Sequence, residues 1–249
     1  MTTLATPAAM PLAGHLREAR KRATRAAIAL VAGMVVGYFA SDAILEVLRQ
    51  PILELAESGT ASLNYSSVTG AFDLKLQIAL TAGIVLSSPV WLYELFAYVA
   101  PGLHRREKKY LFGFLAAAVP LFALGCATAL AVFPRVVELL TGFASTEDTT
   151  LLAAADYVEF VLRLVIAMGV AYALPVLLVV LNFMGVLSSA ALAHSWRWVI
   201  VAIVLFSALI TPAADALSMF AVAVPMTALF LAALGITHLQ DRRLAKKGS

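Results

Sequence analysis

Two carboxylates in this chain stand inside runs of positive charge, each at the edge of an apolar stretch. Glu18 lies in His15-Leu16-Arg17-Glu18-Ala19-Arg20-Lys21-Arg22, and Glu107 in Pro101-Gly102-Leu103-His104-Arg105-Arg106-Glu107-Lys108-Lys109. Such an acid can pair with a basic neighbour one helical turn away. It can also hold the charged group of a ligand, best of all a guanidinium, whose planar fork matches a carboxylate. Spacing alone favours the first reading. Glu18 and Arg22 are four apart, and Glu107 has basic residues on both sides.

The elements that must position these acids are membrane helices. Hydrophobic residues make up 62% of the 249 and charged residues only 13%, with a mean hydropathy of +0.91. A soluble domain carries roughly 25% charge. Apolar residues gathered in stretches of about 20 indicate a polytopic helical membrane protein. The basic pI of about 9.1 does not point to nucleic acid, because the basic residues cluster at helix ends. The first 14 residues lack the features of a cleavable secretion signal. Cys126, the single cysteine, falls within an apolar span and reads as a packed core thiol.

Apolar runs and helix stops predict an all-α, single-domain architecture over residues 1–249. Its six spans lie at about 24–40, 74–99, 110–133, 157–184, 195–210 and 217–237. The fifth and sixth are short, and Pro89, Pro120, Pro175 and Pro225 kink the helices into a curved, concave wall. Gly33 and Gly37 form a GxxxG pair suited to close packing within the monomer. With both termini on the cytoplasmic side, most of the 18 basic residues fall inside and most of the 15 acids outside, as the positive-inside rule requires. The outer segments 41–73 and 134–156 read as structured caps with amphipathic pieces, such as Ile44-Leu45-Glu46-Val47-Leu48.

Much chemistry is missing. The four histidines, His15, His104, His194 and His238, have no metal-ligand spacing. No phosphate-binding loop appears, and no serine or aspartate within a span is paired for proteolysis. The reading is therefore a non-enzyme without metal or cofactor. Polar residues within spans are few: Lys75, Gln77, Glu94, and Glu159 with Arg163, a pair four apart that reads as a local ion pair. A small-molecule or lipid transporter, the competing class, needs a polar mid-membrane site that the sequence largely lacks.

Several motifs in order carry a resemblance: the His15–Arg22 run; Ser88-Pro89-Val90-Trp91-Leu92-Tyr93; Phe96-Ala97-Tyr98-Val99-Ala100-Pro101-Gly102-Leu103 followed by Glu107; Phe133-Pro134; Met184-Gly185; Thr211-Pro212 with Asp215; and Val224-Pro225-Met226. With the six-span, N-in pattern, the chain resembles the TatC family, the membrane receptor subunit of the twin-arginine protein translocase. The resemblance implies a receptor for twin-arginine signal peptides of folded export substrates, in the plasma membrane, with both termini cytoplasmic. Glu18 and Glu107 match the family acids assigned to recognition, with Arg17, Arg105 and Tyr98 beside them. Pro51, Pro89, Ala173 and Asp215 fall at structural or partner-contact positions.

Implied partners are single-span TatA/TatB-type subunits, membrane lipids and further copies within a complex, with energy from the proton motive force. One position departs from the family. In Tyr172-Ala173-Leu174-Pro175 the family usually has a glutamate where Ala173 stands, which bears on partner assembly and leaves room for a divergent paralogue.

Overall fold

The computed structural model describes residues 12–57, 61–64, 69–99, 108–141, 150–210 and 216–247. In chain order they form α1 (Leu12–Glu57), β1 (Ala61–Asn64), α2 (Gly70–Leu86), α3 (Ser88–Val99), α4 (Lys108–Thr141), β2 (Thr150–Ala153), α5 (Ala154–Phe183), α6 (Ser189–His194), α7 (Trp196–Ile210) and α8 (Ala216–Lys247). Among the described residues four helices are long and apolar enough to cross a bilayer, and the bent pair α2–α3 makes a fifth candidate. At 15 residues, α7 reaches only ~22 Å, as its sequence suggested. Large side chains face outward as lipid requires: Phe39, Trp198 and Leu209 are each more than three-quarters exposed.

Three expectations need correction. The first helix does not stop at Ala40 but continues through Pro51 to Glu57. Its extension is amphipathic, with Leu45 and Leu48 buried and Glu46 and Val47 exposed, so partial burial sustains the helix beyond the apolar run. The last helix is not short. It runs for 32 residues, because Gln240 to Lys247 contains only tolerable helix formers and no glycine or proline. The second span is broken at Ser87, and its two halves meet at 55°.

That break follows from the sequence. Pro89, exposed in the first turn of α3, has no N–H to donate to the preceding turn. The indole N–H of Trp91 reaches back across the break to the Ile84 carbonyl oxygen at 3.0 Å, satisfying a group that lipid could not. Pro120, Pro134, Pro175 and Pro225 all lie within continuous helices. The only regular structure other than helix among the described residues is a parallel pairing of β1 with β2, Ala61 opposite Thr150 through Asn64 opposite Ala153. Segments of four residues are too short to show a strand period in sequence.

Packing is closest where glycines meet. α1 lies along α2 and α3, and α4 along α5, while α5 also contacts α2 and α8. A Cβ placed on Gly33 would sit 2.8 Å from the Gly83 carbonyl oxygen, and one on Gly37 2.9 Å from that of Ala79. The GxxxG pair is thus spent inside the monomer. Between α4 and α5, a Cβ on Gly125 would lie 2.5 Å from the Met168 carbonyl oxygen, and one on Gly169 2.8 Å from Cys126 Sγ. Cys126 is a buried free thiol in that seam.

Polar ties finish the frame. Tyr157 donates its hydroxyl to the Leu48 carbonyl oxygen at 2.8 Å, joining α5 to α1. Lys75 pairs with Asp42 at 2.7 Å. Gly185, at φ +72, ends α5 in the left-handed conformation that glycine tolerates. Beyond it, Asp241 of α8 accepts from Asn182 at 3.1 Å and from the Ser189 backbone N–H at 2.8 Å.

Replacing Gly125 or Gly33 with leucine should lower stability by roughly 1–3 kcal/mol, the usual result of forcing bulk into a packed seam. Gly113→Ala and Gly235→Ala, where an added Cβ meets nothing within 4 Å, should stay within about 0.5 kcal/mol. Thermal unfolding in detergent measures both. Tyr157→Phe should cost ~1 kcal/mol in the same assay, through loss of its hydrogen bond to Leu48.

Candidate functional site

The acids singled out by sequence meet different fates. Glu18 lies on the second turn of α1, about one-third exposed, and pairs with Arg22: Nη2 donates to Oε1 at 2.7 Å and Nε at 3.1 Å. The i,i+4 pairing expected from spacing is therefore formed. Glu18, Arg17, Lys21, Arg22, Arg25 and Gly14 line an open recess of about 350 Å³, with Arg17 exposed. Glu107, Arg105 and Asp215 lie outside the described residues.

Sequence reading noted Glu94 among the few polar residues within spans but did not assign it to this cluster, which it completes. Glu94, 72 positions from Arg22, accepts from Arg22 Nη1 at 2.9 Å and from Arg25 Nη1 at 3.4 Å. Its side chain is only 7% exposed, while that of Arg25 is 67% exposed. The elements responsible are the start of α1 and the middle of α3. α3 turns Glu94 inward between Leu92 and Phe96, both buried, and α1 supplies two guanidiniums to meet it. A buried carboxylate loses several kcal/mol of hydration and persists only with good partners. A signal was present. An acid within an apolar span demands a counter-charge, and the densest basic run in the chain begins the helix packed against it.

Tyr98 follows Glu94 by one helical turn on α3 and is half-buried. That puts it on the same face of α3 as Glu94. Pro89 lies in the first turn of α3, directly after the break. Pro51 lies within α1. Ala173 is buried in the core of α5, beside fully buried Tyr172.

A second polar group sits between α2 and α5. Glu159 and Arg163 pair on α5 as expected. They share a recess of about 390 Å³ with Gln77 and Thr81. The Gln77 side-chain oxygen is buried and lacks a hydrogen-bond partner among the described residues. No group of three or more histidine, cysteine or acidic side chains suited to a metal ion occurs among the described residues.

The first cluster holds guanidiniums against carboxylates at two depths, one exposed and one buried. Chemically it is a set of charge-assisted hydrogen bonds within the chain, bordering an open recess.

Comparison with known proteins bears on its setting. Residues 14–225 match the family model described as Sec-independent protein translocase protein (TatC). The chain is 39% identical over 240 residues to the Sec-independent protein translocase protein TatC of Xylanimonas cellulosilytica, covering 96% of this chain and 87% of that one. It is 31% identical to the TatC of Aquifex aeolicus, covering 94% and 97%. Among solved structures it resembles a crystal structure of the twin arginine translocase receptor TatC in detergent, with a TM-score of 0.76 and 30% identity over 90% of this chain and 99% of that one. Matched along most of its length in both sequence and fold, this multi-pass membrane protein belongs to the TatC family of Sec-independent protein translocase components.

Proposed function

We propose that this chain is the twin-arginine signal receptor of its translocase. It would span the membrane six times with both termini in the cytoplasm and bind the signal peptide at the face where α1 begins. The observation that carries this reading is that Glu18, at an open recess, already holds a guanidinium through two hydrogen bonds. A site built to engage one guanidinium has the chemistry to engage another. Glu107 is the second acid of the reading, with Arg105, Arg17 and Tyr98 alongside. The surrounding cations, Arg17, Lys21 and Arg25, repel stray positive charge, so an incoming segment must present well-placed forks to win.

Recruitment of single-span TatA/TatB-type subunits, and of further copies of this chain, belongs to the same reading. Here Ala173 matters. A glutamate at this position would enter a buried environment, where a carboxylate favours its neutral form and can donate a hydrogen bond to a polar partner helix. This chain offers a methyl group instead. Gln77, whose buried side-chain oxygen lacks a partner among the described residues, lines a separate recess with Glu159 and Arg163 between α2 and α5.

Binding of the detergent-solubilised protein to a twin-arginine signal peptide, with a twin-lysine control, tests the receptor reading. Glu18→Ala and Glu107→Ala should each weaken twin-arginine binding by about 5- to 150-fold, as expected for loss of a charge-assisted hydrogen bond worth ~1–3 kcal/mol, while leaving membrane insertion intact. Equal binding by both variants and the parent would sink the assignment. Ala173→Glu should change the recovery of single-span subunits in co-purification, and unchanged recovery would make that position neutral.

A further inference from the structure

The Glu18 carboxylate has a resident occupant. Arg22 gives Nη2 and Nε to Glu18 Oε1, and Nη1 to Glu94 Oε2. One guanidinium is thus shared between two acids on two helices, and those acids sit in unlike surroundings. Glu18 borders the open recess, whereas Glu94 is buried. Attraction between charges strengthens as water is withdrawn. The bond to Glu94 is therefore the firm one, and the bond to Glu18 the exchangeable one. Arg25 also reaches Glu94, so the four charges balance before any ligand arrives.

A ligand guanidinium that takes Glu18 bidentately, one N–H to each oxygen, must displace Arg22 from Oε1, the oxygen that accepts both of its bonds. Without Glu94, that would leave Arg22, itself only about one-fifth exposed, without its carboxylate in a poorly hydrated position, which is strongly unfavourable. With Glu94 present, Arg22 has somewhere to go. Resting on the receptor reading above, we propose that Arg22 sets the selectivity of the Glu18 site by occupying it, and that Glu94 is the positioning residue that receives Arg22 when a substrate arginine takes its place. An incoming lysine brings a compact ammonium with no fork. It cannot match the two bonds Arg22 makes, and Arg22 returns to Glu18. Selectivity for arginine is thereby enforced by a competitor of the same chemical type.

The test measures twin-arginine and twin-lysine peptide affinities for the full-length protein in detergent. Glu94→Gln keeps the side-chain shape but commits Arg22 to Glu18, and should weaken binding of both peptides. Arg22→Gln/Glu94→Gln removes both charges of the buried pair, so neither is stranded. It should restore twin-arginine binding and reduce the preference for arginine over lysine by about tenfold or more, because the forked competitor is gone. A double variant with the parent's preference, or one that fails to recover binding lost in Glu94→Gln, overturns the exchange. Glu18→Gln separates the two ideas: if it leaves twin-arginine binding unchanged, the receptor reading itself falls. If it weakens binding while the double variant keeps full discrimination, only the exchange falls.

Discussion

Everything at the candidate site depends on how closely α1 and α2 approach. Gly33 meets Gly83, and four residues further along α1, Gly37 meets Ala79, four residues back along α2. Helices this close have only one antiparallel register, because a slip would drive side chains into backbone. The same register carries outward in both directions. Beyond Gly37 it brings Asp42 to Lys75. In the other direction Arg22 lies eleven residues before Gly33 on α1, about 16 Å along that helix. There it meets Glu94, which follows Gly83 by eleven residues across the break at Ser87. The glycine seam therefore acts as the ruler that aligns the charges.

The break at Ser87 refines that alignment. An unbroken α2–α3 rod would leave α1 steadily or run parallel to it. The 55° bend redirects the last twelve residues so that Glu94 faces the basic start of α1 and Tyr98 follows on the same face. Pro89 makes the bend and Trp91 seals it, through its bond to Ile84 and an edge-on contact with Phe122 of α4. That contact links the bend to the second tight pair, α4 and α5, whose own seam at Gly125 and Gly169 is flanked by Phe133 against Tyr157 and Phe114 against Phe183. That aromatic contact, the Tyr157 bond to Leu48 and the packing of α5 on α2 join the two glycine-closed pairs and hold the site in place.

Burial divides the acids by role. Glu94 costs hydration and is retained only because two guanidiniums answer it, so its contribution is to place Arg22 and Arg25 rather than to add much net stability. Glu18 remains partly exposed at the recess. Ala173 shows the opposite choice. At that buried position on α5 the chain carries no charge at all.

Composition and patterning determined the class, the presence of long apolar helices and the family, because apolar length, basic flanks and proline positions act locally and leave their mark in order along the chain. The Glu18–Arg22 and Glu159–Arg163 pairs were legible for the same reason, being one turn apart on a single helix. Helix ends were less legible. The extension of α1 to Glu57 and of α8 to Lys247 depends on partial burial and on the absence of a stop, and neither registers as an apolar run. What only the tertiary structure decided was the partner of Glu94. Arg17, Arg20, Lys21, Arg22 and Arg25 were all available as counter-charges, and nothing local distinguishes them. The choice falls to Arg22 and Arg25 because the backbone contact of Gly33 with Gly83 sets the register of α1 against α2, and the bend at Ser87 then turns Glu94 of α3 toward the face of α1 that carries them.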